Sequence, residues 1–422
     1  MKNRFFRFLT GIIAACILTA SAFAEAPENT GGFAVESERA LPTKTPYDKN
    51  SVDILWNTPE AATVGAPIAD GEYVFLPTNN LVKKLREADG STVAAAAFDE
   101  KISEEFCGAV AGEILVQPTR NSIYVVNTED MSVKCSRQFG EIATNAAVIE
   151  NFAYFGVKTE SAFKFVCADI KNGLEPVWEY SSKNALTSPA LFGEYVVFGA
   201  GDDLAVCRFD NGEFSEAPAG EQITNVFAGK YAVFMTCADG SLRKLRLEAD
   251  GTAEEGSLEI CSIGGELTAP AEFGNRVYVG STEGFFILDG LNMEIIKAFP
   301  ELKGASSPII CYGNGQRAYT AAPHYDSGRD IWYLYGVLDT EEQQTAIEIA
   351  KIIDYTNGKL AVSESGTMYF RDAKGQLWAI AASKTSVFMM ILKVVLTLAI
   401  IAMAVIIIWS LAKKRTSKKP KF

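Results

Sequence analysis

The 422-residue sequence predicts an all-β protein, an eight-bladed β-propeller of four-stranded blades with one C-terminal transmembrane helix. Three observations lead to this prediction. A glycine-centred motif recurs eight times, a Trp-containing segment precedes the first copy, and an uncharged apolar run lies near the C-terminus. The expected organisation is a signal peptide at 1–24, a flexible leader at 25–50, the propeller at 51–383, the membrane helix at 387–412 and a basic tail at 413–422.

The first 24 residues have the pattern of a secretory signal peptide. Three cations precede an apolar run from Phe8 to Leu18, and small residues follow it up to Ala24. This order predicts cleavage after Ala24. A bacterial lipoprotein signal with an acylated Cys16 is the alternative, although the apolar residues that continue past Cys16 favour ordinary cleavage. The leader that follows has little apolar content, and we expect it to be flexible.

The recurring motif combines small residues or Pro, a tight turn and a strand rich in Val, Tyr and Phe. The first copy is Ala66–Phe75, and successive turns are separated by 36 to 51 residues. Such a period, without a helical pattern, is typical of one four-stranded propeller blade per repeat. Glycine suits a hairpin turn with positive φ, and asparagine is the next most tolerant residue. The eight turn residues are Gly71, Gly112, Asn151, Gly193, Gly229, Gly274, Gly315 and Gly366.

One repeat carries a longer motif, Cys167-Ala168-Asp169-Ile170-Lys171-Asn172-Gly173-Leu174-Glu175-Pro176-Val177-Trp178. It resembles the Ala-x-Asp-x-x-Thr-Gly-x-x-x-Trp motif of pyrroloquinoline-quinone-type propeller repeats. The resemblance implies that Trp178 docks between neighbouring blades, and that Trp56 does the same from a strand ahead of the first repeat. That strand would complete the last blade at Thr367–Ala382 and close the ring, which removes free sheet edges. Seven blades with an irregular region are the alternative, because the seventh interval is long.

The resemblance does not extend to a quinone site. Quinone-dependent members of the family hold the cofactor over calcium beside a disulfide between adjacent cysteines, whereas this sequence has no Cys-Cys pair. A single His and the lack of any C-x-x-C pair also argue against a metal site. We therefore expect no cofactor and no catalytic residues. The seven cysteines beyond Cys16 are expected to be mostly free, buried thiols, with one disulfide left open.

The one His lies in a segment that lengthens the seventh repeat interval. We expect this segment to project from one face of the ring as an interaction loop, because its aromatic and charged residues suit a contact surface. A solvated insertion without a partner is the alternative. The candidate residues are His324, Tyr325, Asp326, Arg329 and Asp330.

The C-terminal region has the pattern of a membrane anchor. Val394 to Leu411 contains no charge, a length close to that needed to cross a bilayer, and the tail at 413–422 is strongly basic. Basic residues beside a membrane helix remain in the cytoplasm. The expected topology is single-pass in the cytoplasmic membrane, with the N-terminus and the propeller in the periplasm or extracellular space. A buried core helix is the alternative.

Charge and fold together suggest the kind of partner. Without the ten cations of the signal, anchor and tail, 29 Lys and Arg face 52 Asp and Glu, a net charge of −23. So acidic a domain repels phosphate backbones, and nucleic acid is not expected as a partner. The propeller is similar in fold to the propeller lipoprotein of the outer-membrane β-barrel assembly machinery. We therefore expect a non-enzymatic scaffold that binds a protein, in cell-envelope biogenesis; a ligand-binding sensor or an enzyme that uses the central channel is the alternative.

Overall fold

The computed structural model describes residues 40–41, 52–58, 65–311, 317–326, 329–340, 343–352, 360–363, 365–372 and 374–382. These residues contain strands and turns only, beginning with β1 (Ala40–Leu41) and β2 (Val52–Asn57). No helix within these ranges has the length and apolar character to span a bilayer. The predicted signal peptide, membrane helix and basic tail lie outside the described residues, as does the leader except for β1.

The strands form eight sheets, and these are the eight predicted blades. Each blade runs from an inner strand A through B and C to an outer strand D, and all pairings within it are antiparallel. In blade 3 the inner strand is in two pieces, which both pair with strand B. Blades 1 to 4 consist of β3 (Ile68–Asp70), β4 (Tyr73–Thr78), β5 (Leu81–Arg86) and β6 (Thr92–Ala97); β7 (Ala109–Ala111), β8 (Ile114–Pro118), β9 (Ser122–Asn127) and β10 (Val133–Gln138); β11 (Glu141–Ile142), β12 (Ala147–Ile149), β13 (Phe152–Lys158), β14 (Phe163–Asp169) and β15 (Glu175–Ser182); and β16 (Ala190–Phe192), β17 (Tyr195–Ala200), β18 (Asp203–Arg208) and β19 (Phe214–Pro218).

The last four blades include the ring closure. The predicted closing strand is confirmed: β2 supplies strand D of blade 8, with Val52 opposite Ala382. The eight sheets also exclude the seven-bladed alternative. Blades 5 to 8 consist of β20 (Ile223–Ala228), β21 (Val233–Cys237), β22 (Ser241–Leu245) and β23 (Glu259–Ser262); β24 (Ala271–Phe273), β25 (Arg276–Ser281), β26 (Gly284–Asp289) and β27 (Ile295–Phe299); β28 (Ile309–Cys311), β29 (Arg317–Asp326), β30 (Arg329–Asp339) and β31 (Gln344–Ile352); and β32 (Ala361–Val362), β33 (Met368–Arg371), β34 (Leu377–Ala382) and β2.

Part of the leader lies inside the ring. Strand β1 pairs in parallel with β28, the inner strand of blade 7, with Ala40 opposite Ile310 and Leu41 opposite Cys311. Because β29 occupies the other edge of β28, β1 lies on its axial side, toward the central channel. Two residues of the chain therefore occupy the channel edge of blade 7.

The turn between strands A and B uses positive φ in most blades, as the glycines predicted. The φ of Gly71 is 56°, and Gly112, Gly193 and Gly274 have similar values. In blade 3 the prediction chose the wrong residue, because Glu150 has the positive φ of 53° and Asn151 follows it. The corresponding glycine of blade 5, Gly229, lies outside the left-handed region, and its role is close approach to the Glu272 carboxylate of blade 6.

The hydrophobic core lies between blades, not at the centre of the ring. Eight buried clusters are found among the described residues, and each combines side chains of two neighbouring blades. At the boundary of blades 3 and 4, for example, the rings of Phe165 and Phe198 stack with centroids 4.0 Å apart. Six cysteines are free thiols among the side chains that the structure describes, and Cys167 and Cys207 are buried within this boundary. Each blade thus buries its two faces against its neighbours, which makes a closed ring the stable arrangement.

The strand order gives the ring two distinct faces. We call the face with the B–C turns and the D–A connections the hairpin face, and the face with the A–B and C–D turns the turn face. Strand β34 is a C strand, so its last residue, Ala382, lies at the turn face. The hairpin between β29 and β30 is a B–C turn and lies at the hairpin face.

Candidate interaction surface

The candidate segment around His324 belongs to the two longest of the described strands. In blade 6, strands B and C form six residue pairs, from Arg276 with Asp289 to Ser281 with Gly284. Blade 7 has six matching pairs and then four more, from Pro323 with Trp332 to Asp326 with Arg329. At about 3.3 Å per residue, the four extra pairs carry the hairpin roughly 13 Å beyond the length of its neighbour.

The five predicted residues meet at the end of this hairpin. His324 is opposite Ile331, Tyr325 is opposite Asp330, and Asp326 is opposite Arg329. The sequence predicted an irregular loop, whereas the structure has two paired strands whose connection, 327–328, lies outside the described residues. An extended hairpin also projects from the face. The role of these five residues in binding remains a prediction.

The base of the hairpin is fixed to the core. Strand β31 follows the extension as far as Ile352, which is opposite Trp332. The half-buried Trp332 packs against the cluster shared by blades 7 and 8, which includes Leu334 and Ile349. A third strand and an aromatic anchor at the base hold the extension in one orientation relative to the ring.

The rest of the hairpin face carries a negative field. Two of its carboxylates have lysine partners: Glu141 is 3.8 Å from Lys158, and Glu283 is 3.7 Å from Lys303. Burial and neighbouring carboxylates raise the pKa of Asp203. Nine acidic residues of this face have no ion-pair partner among the described residues: Asp99, Glu104, Glu105, Glu160, Asp202, Asp203, Glu221, Glu266 and Glu301. The sequence showed the acidity of the chain but not its distribution over the two faces.

The two predicted docking tryptophans lie at blade boundaries. Trp56 of blade 8 lies on the C–D turn of blade 1, and its Nε1 donates a hydrogen bond of 2.7 Å to the carbonyl oxygen of Glu87. Trp178 of blade 3 lies on the C–D turn of blade 4, and its Nε1 donates to the carbonyl oxygen of Phe209 at 3.3 Å. Both indoles therefore join one blade to the next.

The described residues do not fit the quinone cofactor that the resemblance of the repeat motif brings to mind. No two cysteines are adjacent in the sequence, so they cannot form the disulfide that the resemblance implies beside that cofactor, and the six cysteines whose side chains the structure describes are free thiols. Within the described part of the chain, no three His, Cys, Asp or Glu side chains come together in a way that could hold a metal ion.

Comparison with solved structures places the fold among known propellers. The crystal structure of BamB from Moraxella catarrhalis aligns with a TM-score of 0.57 and 14% identity, over 78% of this chain and 99% of that one. The chain has the BamB-like propeller fold. The computationally designed Ika8 protein aligns similarly, with a TM-score of 0.60, 15% identity and coverage of 78% and 99%. These identities establish the likeness of fold and nothing further about activity.

Searches by sequence give no relative. No protein-family model and no curated protein matches the chain. The likeness to known propellers therefore rests on the three-dimensional fold.

Proposed function

We propose that this protein is a membrane-anchored, extracytoplasmic and non-enzymatic scaffold, which binds a protein partner through the extended hairpin of blade 7 and acts in cell-envelope biogenesis. The observation that carries the proposal is the four-pair extension, since this B–C hairpin has ten residue pairs and no other described B–C hairpin has more than seven. A rigid strand pair that projects about 13 Å offers backbone and side-chain contacts to a partner without a cost of ordering. The likeness to BamB supports a binding role by analogy of fold.

The topology supports a consistent orientation at a membrane. Strand β34 ends at Ala382 on the turn face, four residues before the predicted anchor at 387–412. An anchor attached there would hold the turn face toward the membrane. The extended hairpin, on the opposite face, would then point away from the membrane, where an extracytoplasmic partner can reach it.

The central channel is the less favoured location for a site. The alternative function, a sensor or an enzyme, would use this channel. However, Ala40 and Leu41 pair with the inner strand of blade 7 and occupy part of its channel edge. A ligand there would have to share the space with the chain itself.

The test is a shortened hairpin. Residues 324–331 are replaced by Asn-Gly, a two-residue turn suited to joining Pro323 directly to Trp332, so that the aromatic anchor at the base is kept. The matched control replaces Glu160-Ser161, in the B–C turn of blade 3, by the same dipeptide. Each full-length variant is cross-linked in its native membrane, purified and analysed by mass spectrometry.

We expect to recover a stoichiometric protein partner with the wild-type chain and with the control. The shortened hairpin should reduce the amount of recovered partner at least tenfold. Equal recovery from all three would show that the hairpin is not the contact. Recovery of a tightly bound small molecule in place of a protein would favour the channel alternative.

A further inference from the structure

On the turn side of the ring, a rule of size holds at five of the eight blade boundaries. A side chain of strand D faces the C–D turn of the next blade, and at two boundaries this side chain is an indole that faces a glycine. A Cβ on Gly90 would lie 2.6 Å from the ring of Trp56, and one on Gly212 would lie 2.5 Å from Trp178. The glycines are therefore required by the space that each indole occupies.

At three other boundaries the sizes are reversed. A small D-strand residue faces a large turn residue that is buried, with 0 to 5% exposure, and shares a hydrophobic cluster with it. These turn residues have φ near 60°, a conformation that is costly for side chains other than glycine, which indicates that filling the boundary outweighs the strain. The pairs are Ala94 with Met131, Cys135 with Leu174, and Cys261 with Met293.

The boundary of blades 4 and 5 breaks the rule, because both residues are small. Ser215 pairs with Val206, two residues before the end of strand C, as Trp178 pairs with Cys167 in blade 3. Its hydroxyl donates a hydrogen bond of 2.7 Å to the carbonyl oxygen of Gly251. Close-packed proteins rarely leave such a gap without a reason.

The gap is only partly filled from within. The Tyr195 ring covers Gly251, and its hydroxyl donates to the carbonyl oxygen of Ala249 at 2.9 Å. A cleft of about 490 Å³ remains open to solvent, within the range of ligand pockets. Beside it, the Phe214 side chain is 60% exposed, but its ring lies edge-on against Tyr180 of blade 3, with centroids 5.3 Å apart. The cleft walls include Tyr195, Arg208, Glu213, Phe214, Asp250 and Thr252.

The charge of the cleft is negative. Arg208, the one cation among the residues that line it, forms ion pairs with Glu194 at 3.3 Å and with Asp210 at 2.9 Å. Glu213 and Asp250 have no ion-pair partner within the described part of the chain. Hydrogen bonds from the hydroxyl and backbone N–H of Thr252 lower the pKa of Asp250, so this carboxylate is ionised at neutral pH.

We propose that the cleft between blades 4 and 5 binds an aromatic side chain, best an indole, from a partner polypeptide that carries a basic residue beside it. The partner would supply the large side chain that Trp56 and Trp178 supply at other boundaries. The Tyr195 ring gives aromatic contact area, and the free carboxylates give charge complementarity to the basic residue. The inference rests on the proposed scaffold function only in assuming a protein partner, and it adds a second contact point away from the hairpin.

The probe is the peptide acetyl-Lys-(5-fluoro-Trp)-Lys-amide, observed by ¹⁹F NMR with the full-length protein in detergent micelles. We expect the fluorine line to broaden and shift with the wild-type chain, and at least fivefold weaker binding for the same peptide with Glu in place of Lys. Ser215→Trp fills the cleft from within and should abolish the effect. The matched control, Val177→Trp, adds an indole at an exposed D-strand position of blade 3 and should leave it unchanged.

A second variant guards against misfolding of Ser215→Trp. Glu213→Gln alters an exposed side chain, removes one free carboxylate of the cleft and should weaken binding of the lysine peptide several-fold. Absence of line broadening at millimolar wild-type protein, or equal broadening with Ser215→Trp and wild type, would overturn the proposal. The shortened hairpin separates the two proposals, because it should lose the cross-linked partner and still bind the peptide; a peptide that does not bind leaves the hairpin result standing.

Discussion

Replacement of Gly90 by alanine would test how blade 8 docks onto blade 1. Gly90 has a φ of 68°, and a Cβ there would lie 2.6 and 2.7 Å from Cδ2 and Cε3 of Trp56. The indole has little room to retreat, since it is 9% exposed, donates a hydrogen bond to Glu87 and lies 5.9 Å from the ring of Tyr369. Backbone and packing therefore both oppose the substitution.

The two costs can be separated. The left-handed backbone costs an alanine about 1–2 kcal/mol, and overpacking adds about 1–3 kcal/mol, which gives a total of about 2–5 kcal/mol. Gly71→Ala is the matched control, because Gly71 has a φ of 56° and nothing within 4 Å of an added Cβ. The Gly71→Ala variant should therefore lose only the stability that corresponds to backbone strain, about 1–2 kcal/mol. The difference between the two variants, about 1–3 kcal/mol, is the packing term.

Urea denaturation of the full-length variants, followed by far-ultraviolet circular dichroism, measures this difference as a shift in midpoint. A double variant with Trp56→Phe should recover part of the loss, since a smaller ring relieves the contact and contacting residues couple by about 0.5–3 kcal/mol. Equal shifts for Gly90→Ala and Gly71→Ala would refute the docking argument.

Three further predictions concern buried polar groups. Lys84→Met keeps the apolar stem but removes the donor to two carbonyl oxygens of blade 2, at 2.8 and 3.3 Å, and should lower the free energy of unfolding by about 1.5–3 kcal/mol in the same urea assay. Tyr278→Phe removes a 2.7 Å hydrogen bond to the buried carboxylate of Asp339 and should cost about 1–3 kcal/mol, whereas Tyr231→Phe, at an exposed ring, should cost almost nothing. Burial raises the pKa of Cys207 to about 12, so the unfolded thiol loses its proton first. Stability from this thiol is complete below about pH 9 and is lost as the pH rises toward 12, by about 1.4 kcal/mol per unit; a Cys207→Ala variant with an unchanged alkaline slope would contradict this.

The candidate surface was predictable in place but not in form. A long repeat interval and a concentration of aromatic and charged residues singled out the segment from His324 to Asp330. A hairpin was not foreseen, because a proline such as Pro323 usually argues against a continuous paired strand. In the structure the strands of blade 7 continue through Pro323, which is opposite Trp332. The cleft beside Ser215 could not be found in the same way. It depends on two small residues from different blades, 36 positions apart, that meet only when blade 5 packs against blade 4.

The sequence by itself determined the number of blades and the way in which the ring closes. The recurring turn glycines reflect a requirement of the local backbone, and Trp56 marks a strand that lies ahead of the first repeat. Both signals can therefore be read from the sequence without the tertiary structure. Only the tertiary structure decided how each boundary is filled, by an indole on a glycine or by a large turn residue on a small one. The physical reason is that close packing constrains the combined volume of the side chains that meet at a boundary. These side chains belong to different repeats, so no single repeat specifies their combined volume.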